Sequence, residues 1–193
     1  MRVGVLAVQG AFAEMEDYFR RRGDDVFEIR QLADLYAQDQ AKHPNNPNIQ
    51  TPNLDLLALP GGESTVQGKL LKELGLFDPL KRAIADGLPV FATCAGLILL
   101  AERLEGDPAV WFGVLPVTVA RNAYGRQLGS FATRGTWDGR PDVPMTFIRA
   151  PSITAIGPGV EVLSTYNGHP TSVRWKNITA FTWHPELARD FPV

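Results

Sequence analysis

A single cysteine, Cys94, is all the thiol chemistry available to this 193-residue chain. One cysteine excludes an internal disulfide framework and any metal site built from several thiolates, and it suits a reducing cytoplasm. No block of lysine and arginine stands out and the formal net charge is −2, so neither nucleic acid nor an anionic membrane is an indicated partner. The densest basic run, Arg20-Arg21-Arg22, reads as the solvated end of a helix. Long hydrophobic runs are missing as well. Val3 to Val8 is too short for a secretory core, Gln9 breaks it, and nothing resembling a membrane span follows. No internal repeat is visible. The expectation is a soluble cytoplasmic protein with one sizeable core, a single domain over residues 1–193.

What is present is an alternation of strand and helix. Val3-Gly-Val-Leu-Ala-Val8 is the continuous apolar run of a strand covered on both faces in a parallel sheet. Phe12, Met15, Tyr18 and Phe19 line one face of a helix over 11–22, and Gly23 ends it before a second strand over 25–30. Leu54 to Leu59 makes a third strand, Pro60-Gly61-Gly62 a tight loop, and a helix follows from Ser64 or Thr65 to Leu74. Another helix, Pro79 to Asp86, precedes a short buried strand running into Cys94, and a further helix begins near Ala95. This order predicts a doubly wound, mostly parallel α/β sheet flanked by helices, with right-handed crossovers.

Two regions break the alternation. Residues 31–53 shift toward Gln, Asn, Asp and Pro, and Pro44, Pro47 and Pro52 forbid a continuous helix. They read as a surface excursion with a helical turn near Leu32 to Tyr36, and His43 within it as a solvated loop histidine. After Arg103 come short strand-like segments at 114–119, 127–133, 143–149, 160–164, 172–175 and 178–183. They predict antiparallel additions in the C-terminal half and a final hairpin around Lys176-Asn177 whose last strand ends at His184.

The chemistry gathers at predicted carboxyl ends of strands, where open α/β sheets bind ligands. Gln9, Gly61, Gly62 and Cys94 all lie there. A lone buried cysteine is ordinarily a small hydrophobe. Cys94, however, sits at a strand-to-helix corner among Ala92, Ala95 and Gly96, small enough for a tight turn. Backbone N–H groups and the positive dipole end at such a corner favour an anionic sulfur and can stabilise an oxyanion. A thiolate nucleophile needs a base, and that base needs an orienting carboxylate. His184 and Glu186 fit. Two residues apart at the end of a strand, they should point the same way, with Pro185 stiffening the link.

Leu59-Pro-Gly-Gly-Glu-Ser-Thr65, Thr93-Cys-Ala-Gly-Leu97 and His184-Pro-Glu-Leu187, in this order, resemble the class-I (triad) glutamine amidotransferases. Val8-Gln-Gly-Ala11, Ala120-Arg-Asn-Ala-Tyr-Gly-Arg126 and Phe147-Ile-Arg-Ala-Pro151 bring the resemblance closer, to the glutaminase subunits of pyridoxal 5'-phosphate synthase, over nearly the whole chain. The resemblance implies a flavodoxin-like fold and hydrolysis of L-glutamine to L-glutamate and ammonia. The ammonia would go to a separate synthase (lyase) subunit that builds the vitamin B6 ring, within a large hetero-oligomer. No cofactor and no metal are implied. It further implies Cys94 as nucleophile, His184 as general acid/base and Glu186 as the residue orienting it. Gly62, Glu63, Ser64, Arg121, Ile148 and Arg149 would hold the substrate. Backbone N–H groups of Gly62 and Ala95 would form the oxyanion site, joined by Gln9 when the partner docks. Glutamine carries an α-carboxylate, which Arg149 could pair.

Three positions depart from that family pattern. Met15 stands in the first helix, which the resemblance implies faces the synthase subunit, at a position where a histidine or other polar residue is usual. Residues 31–53 are longer than usual. After His184-Pro-Glu-Leu187 the chain has Ala188 and ends at Val193, where members continue with a threonine and a last helix, so part of the sheet should be less covered. Two other functions stay open at this point: a triad amidotransferase serving histidine or purine synthesis, and a non-enzymatic flavodoxin-like sensor in which Cys94 is an oxidisable thiol.

Overall fold

Strand β1 (Arg2–Leu6) is an interior strand of the main sheet, with side chains buried on both faces as its apolar run requires. The computed structural model describes residues 1–36, 52–121, 129–189 and 191. In it β1 pairs in parallel with β2 (Asp25–Ile29) on one side and β3 (Leu56–Leu59) on the other. Beyond β3 come β4 (Val90–Thr93) and β12 (Ile178–Phe181), both parallel. Antiparallel β11 (His169–Trp175) and β10 (Glu161–Tyr166) complete the edge, giving the seven-stranded order β10-β11-β12-β4-β3-β1-β2. The chain turns one way from β1 to β2 and the other way from β1 to β3, which leaves a crevice at the carboxyl ends of β1 and β3.

Alternation along the strands sends residues to two layers. Leu6, Leu57, Leu59, Val90, Ala92, Ile178 and Ala180 face α3 (Ser64–Glu73), α4 (Phe77–Ala85) and α5 (Ala95–Leu100), with Leu71, Leu80, Ile84, Leu97 and Leu100 in the same core. Val3, Val5, Ala58, Phe91 and Phe181 face the other way, toward α1 (Phe12–Arg21) and the hairpin β7 (Ser130–Trp137) with β8 (Arg140–Ile148). Met15, Tyr18 and Phe19 from α1 and Trp137, Met145 and Phe147 from the hairpin close this second layer. Met15 is fully buried, so its departure from the family pattern is a packing feature beneath α1 and not part of that helix's exposed face. At the C-terminal end, where the sheet was expected to be less covered, Phe191 packs tilted against Trp137 at 4.7 Å and edge-on to Trp183 at 5.4 Å.

Most expected elements form, with shifted ends. The helix after Cys94 stops at Leu100, and Ala101 turns extended to start β5 (Ala101–Leu104), which the apolar run of 97–101 concealed. β5 joins β6 (Leu115–Ala120) and β9 (Ser152–Ile156) in a separate three-stranded sheet. β9 was not expected, and β8 starts three residues earlier than Val143, carrying Pro141 and Pro144 in a two-stranded hairpin with no central position to disrupt. Residues 32–36 form the anticipated helical turn, α2 (Leu32–Tyr36), while His43 and the bulk of the expected loop lie outside the described residues. The last strand ends at Phe181 rather than His184. Among the described residues no helix is long and apolar enough to cross a membrane.

Candidate active site

Cys94 occupies the corner between β4 and α5 with φ 49° and ψ −100°, a conformation that side-chain-bearing residues seldom hold. The surroundings enforce it. Cys94 N–H donates to the Phe181 carbonyl at 2.8 Å, tying the corner to β12, and its carbonyl accepts from Ile98 N–H at 3.2 Å inside α5. Gly96 lets α5 lie directly on β3, since a Cβ there would sit 2.3 Å from the Leu59 carbonyl oxygen.

His184 and Glu186 reach the corner by a different route from strand alternation. After β12 ends, Pro185–Leu187 forms a single 3₁₀ turn with proline at its start, and this turn folds Glu186 back onto the imidazole. His184 Nδ1 lies 2.7 Å from Glu186 Oε1, and Thr93 Oγ1 donates to the same oxygen at 3.1 Å. The His184 backbone N–H donates to Thr146 on β8 at 2.8 Å, so the hairpin braces the turn. Burial disfavours charge on the ring, but the neighbouring Cys94 sulfur and the Glu186 carboxylate outweigh it and push His184 up to about 10. The ring therefore carries its proton at neutral pH, between the sulfur and a buried carboxylate.

The glycine pair has a steric role that its sequence did not announce. A Cβ on Gly61 would lie 2.4 Å from His184 Cε1, and one on Gly62 would lie 2.5 Å from Gln9 Oε1. Gly10 adopts φ +101° directly against the Gly61 carbonyl, which accepts from Ala11 N–H at 2.9 Å. Gln9 Oε1 accepts from Glu63 N–H at 2.8 Å, which ties the loop after β1 to the Gly61-Gly62 loop. Fully buried Gln67 strengthens that link by donating to the carbonyls of Gln9 at 2.9 Å and Pro60 at 3.3 Å. Glu63 caps α3, its carboxylate accepting from Thr65 N–H at 3.2 Å and Val66 N–H at 2.7 Å.

Cys94 and His184 open on a cavity of about 430 Å³, within the size range of small-molecule sites. Gln9, Gly62, Glu63, Ser64, Arg121, Ile148 and Arg149 all line it, while Glu186 lies behind His184. Ala95 follows Cys94 as the first residue of α5. Arg121 is held at the rim by Thr65 Oγ1 at 3.1 Å and Asp107 at 3.4 Å. Arg149, just past β8, has φ 42°, donates its N–H to the Gly129 carbonyl and lines the same cavity. Arg126 lies outside the described residues. Among the described residues no group of three His, Cys, Asp or Glu side chains is placed to hold a metal ion.

Sequence comparison agrees with this arrangement. The SNO glutamine amidotransferase family matches residues 5–192. The chain belongs to that family. It is 52% identical over 190 residues to the pyridoxal 5'-phosphate synthase subunit PdxT of Desulfitobacterium hafniense (strain Y51), covering 98% of this chain and 88% of the relative. The PdxT of Streptococcus pneumoniae (strain ATCC 700669 / Spain 23F-1) is 45% identical, with 98% and 92% covered. A solved structure described as a glutamine amidotransferase superposes with a TM-score of 0.83 at 38% identity, covering 97% of this chain and 92% of the other. PurLQS from Thermotoga maritima shares the fold at a TM-score of 0.66 and 13% identity, over 96% of this chain and 87% of that one.

Of the residues that bear on this site, sequence inspection passed over Thr93 and Gln67. Each is a polar side chain in an otherwise apolar or core-facing stretch, and that mismatch is the signal that would have flagged them.

Proposed function

We propose that the protein hydrolyses L-glutamine to L-glutamate and ammonia through a Cys94-His184-Glu186 triad. We further propose that the ammonia passes to a separate pyridoxal 5'-phosphate synthase subunit in a large hetero-oligomeric complex of the cytoplasm, serving vitamin B6 synthesis. The observation that carries the chemistry is the convergence of Cys94 and His184, the latter bonded to Glu186 at 2.7 Å, on one cavity that Arg121 and Arg149 also line. The relatives named as synthase subunits, similar over almost the full chain, support the choice of acceptor. A thiol sensor would need neither the histidine nor the carboxylate behind it. A single domain, 1–193, suffices for the reaction, and it draws on no cofactor.

In this mechanism the glutamine α-carboxylate pairs with Arg149 and Arg121, while Gly62, Glu63, Ser64 and Ile148 shape the space around the side chain. The sulfur of Cys94 attacks the carboxamide carbon. Negative charge moves to its oxygen, which accepts hydrogen bonds from the N–H groups of Gly62 and Ala95. His184 gives its proton to the departing nitrogen, the C–N bond breaks, and ammonia leaves a γ-glutamyl thioester on Cys94. Neutral His184 then takes a proton from water, whose oxygen attacks the thioester. Collapse of that second intermediate breaks the C–S bond, releases glutamate, and restores the thiolate beside the imidazolium. Glu186 holds the ring in place throughout. Gln9 sets the position of the Gly61-Gly62 loop and joins the oxyanion site when the partner docks, so that turnover is low until the acceptor is present.

The test is glutamate release by the wild-type protein and Cys94→Ala, each with and without the synthase subunit. The expected result is weak turnover by the wild type alone, a marked rise in the complex, and none with Cys94→Ala. Activity surviving in Cys94→Ala, or none from the wild type in the complex, would overturn the proposal.

A further inference from the structure

Thr93 immediately precedes the nucleophile and is completely buried at the end of β4, whose other residues, Val90, Phe91 and Ala92, are apolar. A hydroxyl in that setting is destabilising unless it is hydrogen-bonded. Its partner is Glu186 Oε1 at 3.1 Å, the oxygen that also meets His184 Nδ1. The other carboxylate oxygen, Oε2, is buried and has no hydrogen-bond partner among the described residues. Apart from the imidazole, therefore, the carboxylate group has Thr93 as its polar anchor among the described residues.

The sheet makes this anchor a rigid one. Thr93 stands opposite Phe181 in the parallel register of β4 and β12, and Cys94 N–H bonds to the carbonyl of that same Phe181. The two strands that deliver sulfur and imidazole are thus fixed to each other at Thr93. The 3₁₀ turn bearing Glu186 springs from the short segment just beyond. With Thr93 Oγ1 in place, rotation of the carboxylate about its last bond would break a hydrogen bond to a charged group. Without it, the carboxylate could turn and leave Nδ1 with a poorer acceptor.

We propose that Thr93 is a positioning residue for the triad, its hydroxyl fixing the Glu186 carboxylate so that Oε1 stays on Nδ1 and the ring stays turned to Cys94. This rests on the glutaminase reading above and assigns a part to a residue that touches neither substrate nor sulfur.

Thr93→Val keeps the shape and removes the hydroxyl, and Thr93→Ser keeps the hydroxyl. Two readouts are taken: kcat and KM for glutamine in the complex with the synthase subunit, and the pH dependence of Cys94 alkylation by iodoacetamide. Thr93→Val should lower kcat by about ten-fold to a hundred-fold, with KM within about two-fold, as loss of a charge-assisted hydrogen bond implies. A looser imidazolium stabilises the thiolate less, so the alkylation midpoint should move to higher pH in Thr93→Val and return toward wild type in Thr93→Ser. Wild-type kcat and alkylation profile in Thr93→Val, or equal impairment of Thr93→Ser and Thr93→Val, would overturn the assignment. If Thr93→Val does not fold, Thr93→Ala, which also lacks the hydroxyl, is measured against Thr93→Ser with the same expectations. Failure of the wild type to hydrolyse glutamine would instead refute the glutaminase reading, and the alkylation profiles would still decide the role of Thr93.

Discussion

Replacing Gly61 by alanine should disable the site by displacing His184 while leaving Cys94, His184 and Glu186 chemically intact. The added methyl would sit 2.4 Å from Cε1, whereas ordinary contact begins at 3.4 Å, so the ring or the loop must give way by about 1 Å. Neither can do so freely. The ring is 6% exposed and tied through Nδ1 to Glu186 at 2.7 Å, and its backbone is tied to Thr146. On the other side, the Gly61 carbonyl holds Ala11 N–H, and Gln67 bonds the Pro60 carbonyl. A misplacement of about 1 Å in a catalytic group lowers turnover by about 100-fold. Overpacking at a tight site costs about 1–3 kcal/mol of stability, little enough for the domain to remain folded. The assay is glutamate release by Gly61→Ala in the complex, with circular dichroism and urea unfolding to confirm the fold. Wild-type turnover in a folded Gly61→Ala would show that the glycine is not what seats the imidazole.

Other substitutions and conditions probe separate parts of the account. His184 is raised from an ordinary 6.5 to about 10, so its contribution to folding is complete below pH 6.5 and fades as the pH climbs to 10. Urea unfolding should therefore show falling stability across that window, with a flatter profile in Glu186→Gln; Tyr18, pushed up to about 12 by burial, titrates above it. A wild-type profile as flat as that of Glu186→Gln would contradict this. Arg149→Ala should raise the KM for glutamine by about ten-fold or more with a smaller change in kcat, as expected for a residue that binds an α-carboxylate. An unchanged KM would remove Arg149 from the substrate contacts. Phe19→Ala empties a site that is 1% exposed between α1 and Phe91 and should cost about 3–5 kcal/mol in urea unfolding. A cost below about 1 kcal/mol would mean that the second core layer is less tightly packed than described.

How far the sequence discloses this protein depends on whether a feature is local. The apolar run of β1 and the spacing of Met15, Tyr18 and Phe19 on α1 are local patterns, and both elements form there, with β1 ending at Leu6 rather than Val8. The placing of Gln9, Gly62 and Cys94 around one crevice follows from the doubly wound order of the strands, and all three line the cavity. What escapes the sequence is non-local. The 3₁₀ turn at Pro185–Leu187 looks like the end of a strand until the pairing of β12 is known to stop at Phe181. The apolar stretch of 97–101 continues a helical pattern across a point where Ala101 switches to extended backbone to pair with β6. The need for glycine at 61 is set by an imidazole 123 positions away, and the partner of Thr93 is 93 positions away. Pairwise contacts over such separations leave no periodicity for a sequence to display.

The account stands most directly on a covalent intermediate at Cys94. Intact mass measured on the complex after rapid acid quench during glutamine turnover should show this chain gaining the mass of glutamine less ammonia. Peptide mapping should place that mass on Cys94, and Cys94→Ala should lack it. Glutamine turnover by the wild type with no such adduct, or an adduct mapping to another residue, would contradict it.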